Sequence, residues 1–269
     1  NTTMKTGLGK IERQFFAYIQ MRGQSTVRTG ELRSPLQLSA PRERRLLSRL
    51  AKAGMIARVR RGLYLVPLKL PLGGIWTPNE ILALNTLMAN WNARYQICGP
   101  NAFNRYGFDE QIPNRVYAYN NRLSGERTIG KAAFTLIKVT NDRLGSTEEV
   151  SIAEGQTAVY SSRVRTLVDA VYDWARFNSL PRGYEWIRGE MSAKRISVEA
   201  LLKDTLRYGD IGTIRRIGAF LEREKVNNTW LMKLERALRP TSSFIPLIPT
   251  IPKRGPISRR WGVVLNEPT

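Results

Sequence analysis

The sequence predicts an α+β chain: an N-terminal winged helix-turn-helix, then a larger α+β domain of a few strands and a run of helices. Three observations lead there. Positive charge is concentrated in the first 69 residues, that segment reads as helix, short element, helix and hairpin, and strand patterns give way to helical ones after residue 163. A length of 269 residues gives one or two domains at about 150 residues per domain. We place two, at 1–69 and 70–269, joined by a linker at about 68–76, where Pro67, Pro71, Gly73 and Gly74 cluster.

The first domain is built in order. Lys10 to Arg22 carries Ile11, Phe15, Phe16, Tyr18 and Ile19 at helical spacing, and Gly23 stops it. A polar turn, Gln24-Ser25-Thr26, leads to a short second element around Thr29–Leu32, read as a short helix. Ser39 is placed as the N-cap of the next helix, with Pro41 in its first turn and Glu43 near the positive end of its dipole. This helix runs to about Ala53 and ends at Gly54. At 100° per residue, Leu46, Leu47, Leu50, Ala53 and Glu43 share one arc, and Arg44, Arg45, Ser48, Arg49 and Lys52 occupy the other. Met55 to Val66 then forms two short strand-like runs about Arg60-Arg61-Gly62, where Gly62 supplies the turn.

In the second domain, Thr77-Pro78-Asn79-Glu80 starts a helix whose apolar stripe is Ile81, Leu84, Leu87, Met88 and Trp91. Arg115–Asn120, Ala133–Val139 and Ile152–Val159 read as strands. Helices are expected at about Arg163–Phe177, Tyr184–Met191, Val198–Tyr208, Asp210–Glu222 and Thr229–Leu238. A Pro/Arg-rich tail (240–260) follows, with prolines at 240, 246, 249, 252 and 256. It reads as an extended segment laid over the body, with Trp261 to Leu265 as an added edge strand, or alternatively as free polyproline-like disorder.

Composition narrows the function. Forty-three Lys and Arg against 22 Asp and Glu give a net charge of +21, so a polyanionic partner is expected, nucleic acid before an anionic membrane. Residues 1–69 hold 15 of those bases and only three of the acids. The chain has no histidine, which excludes Ser-His-Asp and Cys-His nucleophiles and any His-ligated metal. Its one cysteine, Cys98, excludes an intrachain disulfide and a multi-cysteine zinc site. No apolar run reaches the roughly 18 residues that span a bilayer, so we expect a cytoplasmic protein with no membrane partner.

The arginine-faced helix and the arginine-tipped hairpin are the features that carry chemistry. A helix about 10–12 Å across fits the major groove of double-stranded DNA, and a hairpin tip reaches the adjacent groove or backbone. Arginine suits both because its planar fork binds phosphate or the edge of guanine bidentately. The candidate DNA-binding residues are Ser39, Arg42, Arg44, Arg45, Ser48, Arg49, Lys52, Arg58, Arg60 and Arg61. No catalytic residue, metal ligand or cofactor is expected. Asp169 and Asp173 lie four apart with no third acid, and Asp169 is expected to pair with Arg165 or Arg176 rather than hold Mg²⁺. Gly99-Pro100-Asn101 reads as a structural turn before a phosphate site. Tyr117, Tyr119 and Tyr160 with Arg115, Arg122, Arg163 and Arg165 make either a second basic, aromatic surface or a plain sheet with one wet face, the latter preferred.

Leu50 to Tyr64, with Arg49 before them in the pattern R-L-x-x-x-G-x-I-x-R-x-x-R-G-x-Y, resembles the wing region of the AbiEi antitoxin family of type IV toxin–antitoxin systems. Tyr95 to Gly107 resembles that family's strand, glycine and short helix, Thr166 to Ala170, with Arg165 before them, its R-T-L-x-D helix, and Arg260 to Asn266 its closing strand. Two features depart from the pattern: histidines are absent after the strand–glycine–helix segment, and the tail is proline-rich. The resemblance implies a repressor of its own operon that binds inverted repeats in the promoter, as a monomer or a DNA-induced dimer. It also implies a C-terminal domain that counters a nucleotidyltransferase-like toxin. The alternatives are a non-enzymatic RNA- or toxin-binding module and, behind it, a metal-dependent nuclease.

Overall fold

The computed structural model describes residues 8–71 and 74–267, so the first seven residues and the linker positions Leu72 and Gly73 lie outside the described residues. It is a mixed α+β structure. Along the chain run α1 (Lys10–Arg22), β1 (Thr26–Arg28), α2 (Ala40–Lys52), β2 (Ala57–Arg60), β3 (Leu63–Leu65) and α3 (Glu80–Asn90). There follow β4 (Tyr95–Ile97), α4 (Pro100–Arg105), β5 (Val116–Asn120), β6 (Gly125–Ile129), β7 (Ala132–Lys138), β8 (Thr147–Ser151) and β9 (Thr157–Ser161). The helical run is α5 (Arg163–Tyr172), α6 (Trp174–Phe177), α7 (Arg182–Ser192), α8 (Val198–Tyr208), α9 (Ile211–Arg223) and α10 (Asn228–Glu235). Three short strands, β10 (Ile245–Pro246), β11 (Ile257–Ser258) and β12 (Val263–Val264), close the chain.

Two compact units result: 1–94 with 124–136 and 153–156, and the remainder. The first therefore extends past the 69/70 boundary expected from the proline and glycine run. Beyond the run, Trp76 N–H donates to the Gly54 carbonyl at 2.8 Å and ties the following segment back to the end of α2. Helix α3 thus belongs to this unit, capped by the Asn79 side chain, which accepts from the Ile81 and Leu82 amides.

Within the first unit, Phe15, Phe16 and Ile19 of α1 pack with Leu46, Leu47 and Leu50 of α2 and with Val27, Ile56 and Tyr64. These are the apolar arcs read from the sequence. Strands β1, β3 and β2 form a small antiparallel sheet in that order, with Val27 opposite Tyr64 and Ala57 opposite Leu65. The short second element is not a helix. Residues 29–37 form a succession of turns, because Gly30 takes a φ of 111° and the amides of Gly30 and Leu32 are satisfied by a side chain of α2 rather than by helical carbonyls. Ser39 holds the N-cap position, but its side chain makes no capping bond. Strand β6 was missed: four of its five residues, Gly125 to Thr128, are exposed, so it carries no apolar alternation.

In the second unit, β8, β9, β4 and β5 lie side by side, with β9 and β4 parallel and the outer pairs antiparallel. The strand expected at Ile152–Val159 overlaps only the first three residues of β9 and otherwise falls on the turn at 153–156 that joins β9 to its partner β8, a strand whose mostly exposed residues carry no apolar signal. The helix expected over Arg163–Phe177 breaks at Asp173. Leu167, Val168 and Val171 of α5 pack with Ile187 of α7, Leu201 and Leu202 of α8, Ile217 and Phe220 of α9, and Leu231 and Leu234 of α10. Trp261 is fully buried on α9, where Gly218 lacks the Cβ that would collide with its ring. Strand β12 lies between β10 and β11, so the closing strand is the centre of a small sheet and not an edge.

Candidate nucleic-acid interface

All ten residues singled out from the sequence are exposed: Ser39, Arg42, Arg44, Arg45, Ser48, Arg49 and Lys52 before and along α2, and Arg58, Arg60 and Arg61 on the hairpin. Leu46, Leu47 and Leu50 anchor the buried face of α2, which leaves Arg45, Ser48 and Lys52 diametrically outward and Arg44 on one flank. On the other flank, Arg42, Arg45 and Arg49 line a hollow of about 350 Å³ with Ile11, Leu38 and Leu46. Among the described residues, Arg42, Arg44, Arg45, Lys52, Arg58 and Arg61 have no ion-pair partner, whereas Arg49 Nε is engaged by Glu12 at 3.0 Å. Glu12 also accepts from the Gly9 amide at 2.8 Å, so one carboxylate caps α1 and pins Arg49.

A second carboxylate was read only in part from the sequence. Glu43 is fully buried on the apolar face of α2. Its Oε1 accepts from the amides of Gly30 at 2.7 Å and Leu32 at 3.1 Å, and its Oε2 from Arg33 Nε at 3.0 Å. One residue before Gly30, the Thr29 amide donates to the carbonyl of Gly62, the hairpin's turn residue with φ 82°, at 3.0 Å. The first turn of α2 and the tip of the hairpin are therefore fixed to the same short segment. The signal in the sequence was a lone acid on an otherwise apolar arc.

The other expected sites take structural roles. Asp169 Oδ1 accepts from Arg165 Nε at 2.9 Å, with both side chains fully buried. Burial pushes the Asp169 carboxyl above its usual range against the pull of Arg165 and Arg143. Asp173 instead accepts from Arg176 and from the Tyr119 hydroxyl, both at 3.0 Å. Asp169→Ala would leave the Arg165 guanidinium buried without its counter-charge. It is expected to lower unfolding free energy by about 3–5 kcal/mol, read from urea denaturation. Tyr119 and Arg165 are buried and drop out of the second basic, aromatic surface, whereas Arg115, Tyr117, Tyr160 and Arg163 are half-buried and Arg122 is exposed. Cys98 is a buried core residue, and the Phe177 ring fills the space over Gly99. Asn101 uses its side chain to join the Arg115 carbonyl and the Tyr117 amide. Among the described residues there is no group of three or more acidic or cysteine side chains able to hold a metal ion. None of their helices is long and apolar enough to cross a membrane.

Fold and site together define a mixed α+β protein whose N-terminal unit presents an exposed arginine-rich helix and hairpin. The fold is similar to that of the RV2827C protein from Mycobacterium tuberculosis, with a TM-score of 0.59 over 96% of this chain and 92% of that one. The two sequences are 13% identical, so the likeness describes the fold alone. No family model and no curated protein matches the chain.

Proposed function

We propose that this protein is a sequence-specific, double-stranded-DNA-binding autorepressor whose N-terminal unit is a winged helix-turn-helix. In this reading it is also the antitoxin of a type IV, AbiE-like system, countering a nucleotidyltransferase-like toxin. The observation that carries the reading is the pairing of two exposed arginine groups, on α2 and at the hairpin tip, through the Glu43–Gly30 and Thr29–Gly62 bonds. The order α1, β1, turn, α2, β2, β3 supports a winged helix, with α2 as the recognition helix and Arg60-Arg61 at the wing tip. The antitoxin half rests on the motif resemblance in Leu50–Tyr64.

The test is fluorescence anisotropy with the duplex upstream of the protein's own gene against a scrambled duplex at several salt concentrations. The expected result is a preference of about 10³ or more for the upstream duplex, with a salt slope that reports several phosphate contacts. Equal affinity for both duplexes would reject the repressor. Antitoxin action is tested in cells that express the neighbouring toxin: the protein is expected to restore growth, and failure to do so rejects that half.

A further inference from the structure

In the second unit, arginines far apart in sequence converge where α9 and α10 meet the tail. A hollow of about 970 Å³ opens there, lined by Arg215 of α9, Arg239 beyond α10, and Arg259 and Arg260 of the tail. Arg260 takes up the carboxylates at hand: its Nε and Nη2 meet Glu235 and its Nη1 meets Glu222. Among the described residues, Arg215, Arg239 and Arg259 have no ion-pair partner.

Arg215 is the unusual member. It is 6% exposed, and carbonyls alone hold it. Its Nε donates to Trp261 at 2.8 Å and its Nη2 to Ser243 at 2.5 Å and to Gly262. Gly262, at φ 62°, lacks the Cβ that would collide with Nη2, so the cradle is built around this guanidinium. The carbonyls orient the charge without neutralising it, and Nη1 has no acceptor among the described residues. Burial, with Arg216 alongside, holds the group below its usual range.

A buried cation without a counter-charge gains strongly from an anion, and a preoriented guanidinium fork matches phosphoryl oxygens. Three uncompensated arginines favour a phosphate monoester, at about −1.5 to −2 charge, over a carboxylate. The hollow is near the top of the roughly 300–1,000 Å³ range of small-molecule sites, and Ile211, Leu238 and Pro240 give it an apolar wall. We propose that this hollow binds the phosphoryl group of a nucleotide-sized phosphate monoester.

Isothermal titration calorimetry of the full chain with adenosine monophosphate, adenosine and inorganic phosphate tests it. Adenosine monophosphate binds and adenosine does not. Arg239 and Arg259 are exposed and unpaired, so Arg239→Ser/Arg259→Ser keeps the wild-type Tm while affinity falls about tenfold or more. Arg44→Glu/Arg45→Glu leaves the affinity unchanged, which separates this site from the DNA-facing helix. Equal affinity for inorganic phosphate supports the anion site and makes free phosphate its source. Absence of binding by both phosphates, equal binding of adenosine, or indifference to the Arg239/Arg259 substitutions would overturn the proposal.

Discussion

Arg44→Glu/Arg45→Glu is expected to reduce affinity for the upstream duplex by about 100-fold or more, and the slope of log affinity against log salt by about two. Neither arginine is in an ion pair among the described residues, and both are exposed, Arg45 on the face opposite Leu46 and Leu47 and Arg44 on its flank. The fold therefore tolerates the change, with a stability cost within about 0.5 kcal/mol. A matching loss in a variant with wild-type Tm reports the interface alone. Arg49→Ala is expected to do less, because Glu12 already holds its Nε at 3.0 Å and dilutes its field. Undiminished affinity in the double variant would remove α2 from the interface. Growth rescue from the toxin is expected to survive the double substitution; its loss would reject the division of labour between the two units.

How much of this was legible before the structure depends on the range over which each signal acts. Helix α2 and the β2–β3 hairpin are local features. A periodic arc of leucines, a proline in the first turn and a glycine at the bend decide them within a few residues, and the structure has them where the sequence placed them. The first compact unit runs past residue 69 because prolines and glycines mark turns as readily as linkers, and the Trp76–Gly54 bond is a long-range fact with no local signature. Strand β6 has mostly exposed residues, so its pairing with β7, Glu126 opposite Thr135, leaves no trace in the apolar pattern. The arginine hollow is harder still. Arg215, Arg239 and Arg259 are spread over 44 positions and become a cluster only when the tail folds over α9.

Glu43 gives the second large effect and tests whether helix and hairpin act as one platform. The sequence reading gives it a dipole role at the start of α2, which is worth about 0.3–1 kcal/mol. The structure gives it more to do, since the Gly30 and Leu32 amides both end on its Oε1 and Leu32 is fully buried. Glu43→Ala orphans those donors and is expected to cost about 2–4 kcal/mol in thermal or urea unfolding. Arg33→Ala leaves both amide bonds to Glu43 in place but takes the counter-charge from a buried carboxylate, and is expected to cost less than Glu43→Ala, about 1–2 kcal/mol. Glu43→Gln falls between, because its amide oxygen still accepts from the backbone while its NH₂ group faces the Arg33 guanidinium. DNA affinity follows the same order, although none of the three substitutions touches α2's outward face, because the segment they loosen also holds the Gly62 carbonyl and with it the hairpin tip. A Glu43→Ala protein within about 1 kcal/mol of wild type would reduce Glu43 to its dipole role and leave the two arginine groups without a shared support.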